Sequence, residues 1–589
     1  MKRVLACLLT VCLLLGCCVL GVFAESTKTA GVIVTDVTWD GANQPKPGAK
    51  VVFSAYLKNN GTAAATEAVS VALYVNQEKV FTQNYEKGIA AGETVQVKFP
   101  KWKAVAGEHV VTVVLNDTQP DRFNWVDHQH LAANIRVADK ALEVPEVAEK
   151  YGMTKLTFSD DFTTLDLIDK DCTGAYGYKW YSNLPYEGDD ALPTDYKLTD
   201  AGISLERVPT RFSWTLCTLD NETGAGWGYT HGYMEMRVRS PGDRLFGERG
   251  KPAVWSLPPG KIMSLRGLKE HYVETDFLEF FEDDIFATTL HDLRYTDTTP
   301  SEYIHWYKNS NFENVGMRDG EWHTMGFVRR NGMMKCYLDG EEYMALYWED
   351  DQKAYPEALL LKDGDGVGAF TIADTQLMPL IVHGTNTWPL EIDYIQVWEG
   401  DEKANQGESI ETAQFADMYL RDNNGQINLT PDFENYEALI DMESAFAGLS
   451  AEKQEELNTF VKREVDKTMT QVVNDAKQFK ADMEAFVAAY ATDSEGAVLD
   501  TASPDACKMI VKGERKWNKM SAELKEAVNT QVYLTSSATT YDELLAAARQ
   551  KVPASPIKPW MIVAVIAVIA VGVAIVIPCK KCCKKAKEE

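Results

Sequence analysis

The stretch HYVETDFLEFFEDD, residues 271–284, sets three carboxylates, Glu274, Asp276 and Glu279, inside a run that is otherwise apolar and aromatic. A buried or half-buried acid is costly unless it is paired or put to use. On a strand, side chains alternate with period two, so Glu274 and Asp276 share a face while Glu279 points away. One extra residue, a β-bulge, returns all three to one face. The strand reading therefore demands a bulge around Phe277 and Leu278. Val273, Thr275 and Phe280, plus Phe277 or Leu278, then turn to a core. Val273, Phe277, Phe280 and Phe281 also fit helical spacing, which periodicity alone does not exclude. The aromatic content and the β signals on both sides favour the strand. The bland alternative is a solvated acidic rim continuing into Glu282, Asp283 and Asp284.

With the bulge, Glu274 and Glu279 stand four effective positions apart, about 13 Å between Cα atoms at strand rise. Two Glu side chains leaning together close much of that, towards the roughly 5–5.5 Å of a retaining glycosidase pair. One acid can then attack an anomeric carbon while the other protonates the leaving oxygen. Three neighbouring carboxylates do not all ionise cheaply, so one is expected to hold a proton near neutral pH, as a general acid must. Asp276, between them, would orient the nucleophile and share that proton.

On either side of this stretch, from about residue 154 to 400, β signals rich in Trp and Tyr continue, with turns at Asn331 and Gly332 and at Asp339 and Gly340. About 245 residues of mostly β structure fits one large sandwich or barrel. ETDFLE resembles the E-x-D-x-x-E signature of glycoside hydrolase family 16 in its bulged form, shared by laminarinases, agarases and carrageenases. The flanks are similar in order: FSDDFTTLDLIDKDC…YKWY (158–181), HGYMEMRVRSPG (231–242), KPAVWSLP (251–258), ATTLHDLRY (287–295), DGEWHTMGFVRRNGMMKCYLDGEEY (319–343) and PLEIDYIQVWEG (389–400). The resemblance implies a concanavalin-like β-jelly-roll catalytic domain over 154–400. It makes Glu274 the nucleophile, Asp276 its helper and Glu279 the acid/base. It also makes Trp255 a sugar platform, His291 a residue near the leaving-group side and Trp388 a second platform. An indole face stacks well on a pyranose, although Trp255 also suits a core and His291 an ordinary structural role. Lys251 stands where the family has a Trp, Thr275 replaces an aliphatic residue, and the SLRGLKEH insert lacks the family's glycine. These departures bear on the substrate more than on the mechanism. The resemblance allows a structural calcium ion, but the residues show no ligand cluster, and no metal or cofactor is assigned.

Residues 27–137 read as short alternating strands split by Gly, Asn and Pro, the pattern of an immunoglobulin-like sandwich. AYLKNNGTAAATEAVSVALYVN (55–76) resembles the bacterial adhesion-related CARDB domains. A spacer or binding module is expected there, since the segment holds no clustered His, Cys or acidic triad. Residues 138–153 read as a linker. Residues 401–552 have helical spacing and an internal repeat, FAGLSAEKQEELN (446–458) recurring as WNKMSAELKEAVN (517–529). Ser450 and Ser521 sit as helix N-caps without a full capping box. A stalk of two helical units is expected.

Both ends carry addresses. Met1, Lys2 and Arg3, then an apolar run and a VFA cleavage site, make 1–24 a secretory signal, with lipoprotein processing at Leu15, Gly16 and Cys17 as the alternative. Residues 560–578 form an unbroken apolar run, roughly 28 Å as a helix, long enough to span a membrane after the 553–559 linker. The Lys-rich tail 579–589 is then cytoplasmic, with Cys579, Cys582 and Cys583 within reach of acylation. Cys172, Cys217, Cys336 and Cys507 are too sparse for a disulfide framework or a zinc site.

A formal net charge of −28 repels nucleic acid and anionic lipid surfaces and suits an uncharged partner. The sequence thus predicts a multidomain, mainly β, single-span cell-surface protein. The activity expected is retaining endo-hydrolysis of a β-linked polysaccharide, β-1,3- or mixed-linked β-glucan by the family's centre. The alternatives are a non-catalytic carbohydrate-binding protein or adhesin on the same fold, or a galactanase or transglycosylase of the same family.

Overall fold

The computed structural model describes residues 31–116, 129–182, 189–208, 210, 213–220, 223–240, 252–257, 272–282, 285–296, 299–308, 320–348, 358–361, 377–386, 389–421 and 427–552. The expected signal (1–24), the 553–559 linker, the span (560–578), the tail (579–589) and Trp388 lie outside them. Among the described residues no helix is long and apolar enough to cross a membrane.

The alternating N-terminal runs form two antiparallel sheets. Val32–Trp39, Lys50–Asn59 and Thr94–Lys103 make one, and Glu78–Tyr85, Val69–Val75, Gly107–Leu115 and His130–Val137 the other. Their inward residues, among them Phe53, Leu57, Val71, Leu73, Val111 and Val113, share one buried core. Each such side chain contributes about 1.5–3 kcal/mol on burial.

Among the described residues two nine-stranded sheets follow. In the first, Thr299–Lys308, Ile285–Thr296, Tyr272–Glu282, Ala253–Ser256, Ile381–Thr385 and Ser213–Cys217 lie side by side. In the second, Gly202–Leu205, Leu390–Glu399, Gly232–Arg239, His323–Arg330, Met333–Leu338 and Glu341–Trp348 do the same. Phe277, Leu278, Val254, Leu216 and Val382 of the first sheet pack on Met234, Met236, Phe327, Ile395 and Val397 of the second. The protein is therefore multidomain and mainly β, with a large two-sheet sandwich behind the small one. Gly384 sits opposite Trp214, and a Cβ at Gly384 would overlap that indole ring. A glycine is what admits a fully buried Trp to this sheet.

The two sandwiches meet closely. Gly177, at φ +93°, brings its backbone so near Asn76 that a Cβ would overlap the Asn76 carbonyl. Gln77 donates to the Gly177 carbonyl at 2.8 Å, and Asn43 makes two hydrogen bonds to the Leu156 backbone at 2.9 and 3.0 Å. Ala72 and Val114 bury against Tyr176, Tyr181 and Ala225. Residues 138–153, expected as a linker, are packed as well: Ala148, Tyr151 and Met153 are buried, and the Tyr151 and Tyr337 hydroxyls hydrogen-bond at 2.9 Å. The apolar residues of VAEKYGM are what hold this segment down.

The chain divides into two compact units, the first ending at Asp417 and the second starting at Met418. Within the first, Arg330 donates to the Ala404 carbonyl and pairs with Glu408 in a buried site. Residues just after 400 thus belong to the β unit.

In the second unit helices Tyr436–Ala447, Ala451–Val465, Met469–Tyr490, Pro504–Trp517, Ala522–Ser536 and Tyr541–Lys551 fold back on one another. Phe486, Ile510, Trp517, Val528 and Tyr541 share a core. The repeated serines cap as the spacing predicts: Ser450 accepts from the Lys453 amide and Ser521 from the Leu524 amide, at 3.3 and 3.2 Å. Ser521→Ala is expected to cost about 1 kcal/mol, read as a lower denaturation midpoint of the helical unit. An unchanged midpoint would show that the cap is dispensable.

Candidate active site

Strand Tyr272–Glu282 carries the extra residue that the acid spacing demands. Against Ile285–Thr296, Asp276 pairs with Thr289 and Glu279 with Ala287, so three steps on one strand match two on the other. Against Ala253–Ser256, Trp255 pairs with Asp276 and Val254 with Leu278, leaving Phe277 as the added residue. Phe277 and Leu278 are consecutive yet both enter the core, at 1% and 0% exposure. A regular strand would send one of them outward. Their burial drives the bulge, and the bulge turns Glu279 to the face of Glu274 and Asp276.

The depth of the acids differs. Glu274 and Glu279 are half-buried, whereas Asp276 retains 3% of its surface. Thr275 is buried on the core side, as expected. Nothing further is described of the Val273 side chain.

The register builds the surroundings from strands distant in sequence, and directly opposed residues lie on one face, about 4.5–5.5 Å apart at Cβ. Trp255 stands opposite Asp276, and Ala253 opposite Glu279. On the next strand Ile381 pairs with Trp255 and His383 with Ala253. On the other flank Thr289 is opposite Asp276, and His291 occupies the register position opposite Glu274. Glu274, Asp276, Glu279 and Trp255 therefore share one sheet face, and His291 holds the register position opposite Glu274. The remaining candidate, Trp388, is outside the described residues. Trp255 is only 8% exposed, so its ring is largely covered by neighbours rather than presented whole.

His383 was not singled out by the sequence. Its ring meets the Trp255 indole edge-on at 6.3 Å. Burial pushes its pKa down to about 4, because a charged imidazole loses hydration there. The ring is neutral at physiological pH and can only donate or accept a hydrogen bond. Ala253, with only a methyl side chain, stands between Glu279 and His383 in the register. Only the pattern VHGT, an isolated His on an alternating strand, hinted at His383.

Among the described residues no group of three or more His, Cys, Asp or Glu side chains is placed to hold a metal ion. Cys217, Cys336 and Cys507 are buried thiols, and burial pushes Cys217 up to about 12. Burial raises Cys336 as well, so neither Cys217 nor Cys336 presents the thiolate, which is the reactive form.

The CARDB family model matches residues 32–120, the region of the small sandwich. No curated protein matches the chain. Among solved structures, a GlcNAcα1-4Gal-releasing endo-β-galactosidase from Clostridium perfringens is 18% identical, with 46% of this chain and 67% of that one covered, at a TM-score of 0.30. A laminarinase from Flavobacterium sp. UMI-01 is 16% identical, covering 42% and 100%, at 0.26. The laminarinase catalytic domain from Thermotoga maritima MSB8 is 13% identical, covering 41% and 97%, at 0.28.

Proposed function

We propose that this chain is a retaining endo-glycosidase that hydrolyses a β-linked polysaccharide, with β-1,3- or mixed-linked β-glucan as its substrate class. The observation that supports it most is the bulge at Phe277, which gathers Glu274, Asp276 and Glu279 on one sheet face. In the first step a Glu274 carboxylate oxygen attacks the anomeric carbon. The bond to the glycosidic oxygen breaks, and the Glu279 proton passes to that oxygen, releasing one sugar chain. In the second, Glu279, now ionised, takes a proton from water whose oxygen displaces Glu274. Two inversions leave the anomeric configuration unchanged. Asp276, nearly enclosed between the two, orients Glu274 and shares a proton with it. His383, held neutral, offers a hydrogen bond to a sugar hydroxyl.

An uncharged glucan fits a chain of net charge −28 better than a sulfated galactan, which such a field repels. With residues 1–24 read as a secretory signal and 560–578 as a span, the catalytic unit would act outside a membrane on cell-wall or dietary polysaccharide. The test is proton NMR of the reaction with a panel of β-glucans and galactans. The first product formed is expected to be the β-anomer, mutarotating to α later. Release of the α-anomer first would exclude the double displacement, and no release from any polymer would exclude the hydrolase.

A further inference from the structure

The strand Thr94–Lys103 of the small sandwich ends in KFPKWK (98–103), three lysines spaced three and then two apart. Against Lys50–Asn59, Val52 pairs with Lys101 and Ser54 with Lys98, so three steps on one strand match two on the other. The added residue makes a β-bulge, and Pro100, with no N–H to give the ladder, falls inside it. Val97, Phe99 and Trp102 pack towards the core of the sandwich. Lys98, Lys101 and Lys103 are all exposed on the outer face.

On the neighbouring strand Lys50 and Lys58 are exposed on the same face, because Val51, Phe53, Ala55 and Leu57 between them turn to the core. Lys50 stands directly opposite Lys103, and like charges so paired destabilise a sheet. Lys98 lies 3.8 Å from Asp40, both side chains being more than half exposed, and Asp36, opposite Tyr56, adds a second acid. Among the described residues Lys50, Lys58, Lys101 and Lys103 form no ion pair. Lysine on an edge strand guards against aggregation, which accounts for Thr94–Lys103 at the edge of its sheet. It does not account for Lys50 and Lys58, on the central strand.

Charge is unevenly spread along the chain. Residues 31–137 hold ten Lys or Arg and ten Asp or Glu, so the net −28 lies wholly outside them. Salt screens charges more than about 8 Å apart, and an anion at this face meets the lysines first. From Lys50 to Lys58 the strip runs about 26 Å along the strand and is two strands wide, a shape that fits a linear polymer. Tyr56 lies within it, half-buried, its hydroxyl accepting from Gln96 Nε2 at 3.0 Å, and a tyrosine ring offers a sugar an apolar face. The acidic remainder of the chain repels a densely charged polymer more than a sparsely charged one. A polyuronate, with one carboxylate on each sugar, meets all three conditions.

We propose that this sheet face is a docking surface for a polyuronate chain, held by Lys50, Lys98, Lys101 and Lys103 with Tyr56 against a sugar ring. It tethers the protein to an acidic glycan, and it stands whether or not the chain is a hydrolase.

The test titrates the full chain, in a non-ionic detergent, calorimetrically with polygalacturonate, neutral dextran, dextran sulfate and poly-L-glutamate. Saturable binding of polygalacturonate and none of dextran is expected, weakening as salt is raised. Lys98→Gln, Lys101→Gln and Lys103→Gln combined should weaken it about tenfold, the scale of a few exposed charge contacts. Lys50→Gln alone, which leaves the bulge untouched, and Tyr56→Ala should each weaken it about threefold. Lys87→Gln, beyond the end of the other sheet's Glu78–Tyr85 strand, should leave it unchanged. The triple variant should melt no lower than the wild type, since opposed lysines cost stability, and this separates lost binding from lost fold. Absence of saturable polygalacturonate binding, or binding unmoved in the lysine variants or in Tyr56→Ala, would overturn the proposal. So would a loss in Lys87→Gln as large as in the triple variant, or dextran sulfate or poly-L-glutamate bound as tightly as polygalacturonate.

Discussion

Glu274→Gln is expected to lower kcat for oligosaccharide release by about 10⁴-fold or more, the scale seen when a covalent nucleophile is removed. The amide keeps the size and shape of the side chain and one acceptor oxygen, so KM and thermal stability should move little. Without a charged oxygen, however, no glycosyl-enzyme bond forms. Glu279→Gln should lose about 10²–10⁴-fold, the contribution of a general acid. That loss should shrink with aryl glycosides whose leaving oxygen needs no proton, whereas the Glu274→Gln loss should not. Initial rates on polymer and aryl substrates decide between these roles. Full activity in Glu274→Gln would remove it from the chemistry, and equal losses on both substrates for Glu279→Gln would remove its acid role.

Lys179→Met carries the largest expected effect on stability. Lys179, with 1% of its side chain exposed, pairs with Glu108 across the junction of the two sandwiches. It also donates to the Ser159 carbonyl at 2.6 Å and lies 3.8 Å from Asp160. Asp160 in turn accepts from the Trp180 indole at 2.7 Å, and Ser159 donates to Glu108 at 2.7 Å. Arg136 stands 3.8 Å from the Glu108 carboxylate. Removing one partner of a buried pair costs about 3–5 kcal/mol, because the other charge is left enclosed.

That cost should depend on pH. Burial pushes Glu108 up from 4.5 to about 7, Lys179 pulling against it and Asp160 adding to it. The folded state therefore binds a proton that the unfolded state releases near 4.5. This contribution is complete below 4.5 and is lost as pH rises to about 7, so stability falls across that window. With Lys179 gone, the cation holding the value down is absent, and the fall should extend above 7. Melting of the β unit is expected to show a larger deficit at pH 8 than at pH 5 for Lys179→Met. Glu108→Gln should flatten the wild-type slope between pH 5 and 8. A deficit independent of pH, or none, would show that the pair does not hold the junction.

The acid face was legible because local physics specified it. Two-then-three spacing, with Phe277 and Leu278 both apolar, admits a strand only if it is bulged, and the register shows that bulge from both neighbours. The small sandwich and the repeated Ser caps were legible for the same reason, since alternation and capping act within a few residues. What stands around the acids was not. His383 reaches the site through Ala253, a strand some 130 residues away in sequence; no local pattern encodes that register.

Depth and junctions likewise needed the fold. Asp276 is enclosed while its two neighbours are half-open, and Trp255 is mostly covered, a difference set by what packs above the sheet. Residues 138–153 look polar enough for a linker, yet their few apolar side chains find a buried surface. Glu108 and Lys179 are ordinary charged residues in sequence, 71 positions apart. Sequence by itself determined which residues alternate, bulge and cap, because those choices are made within one segment. Tertiary structure alone decided which segments lie side by side, and so which charges are buried together.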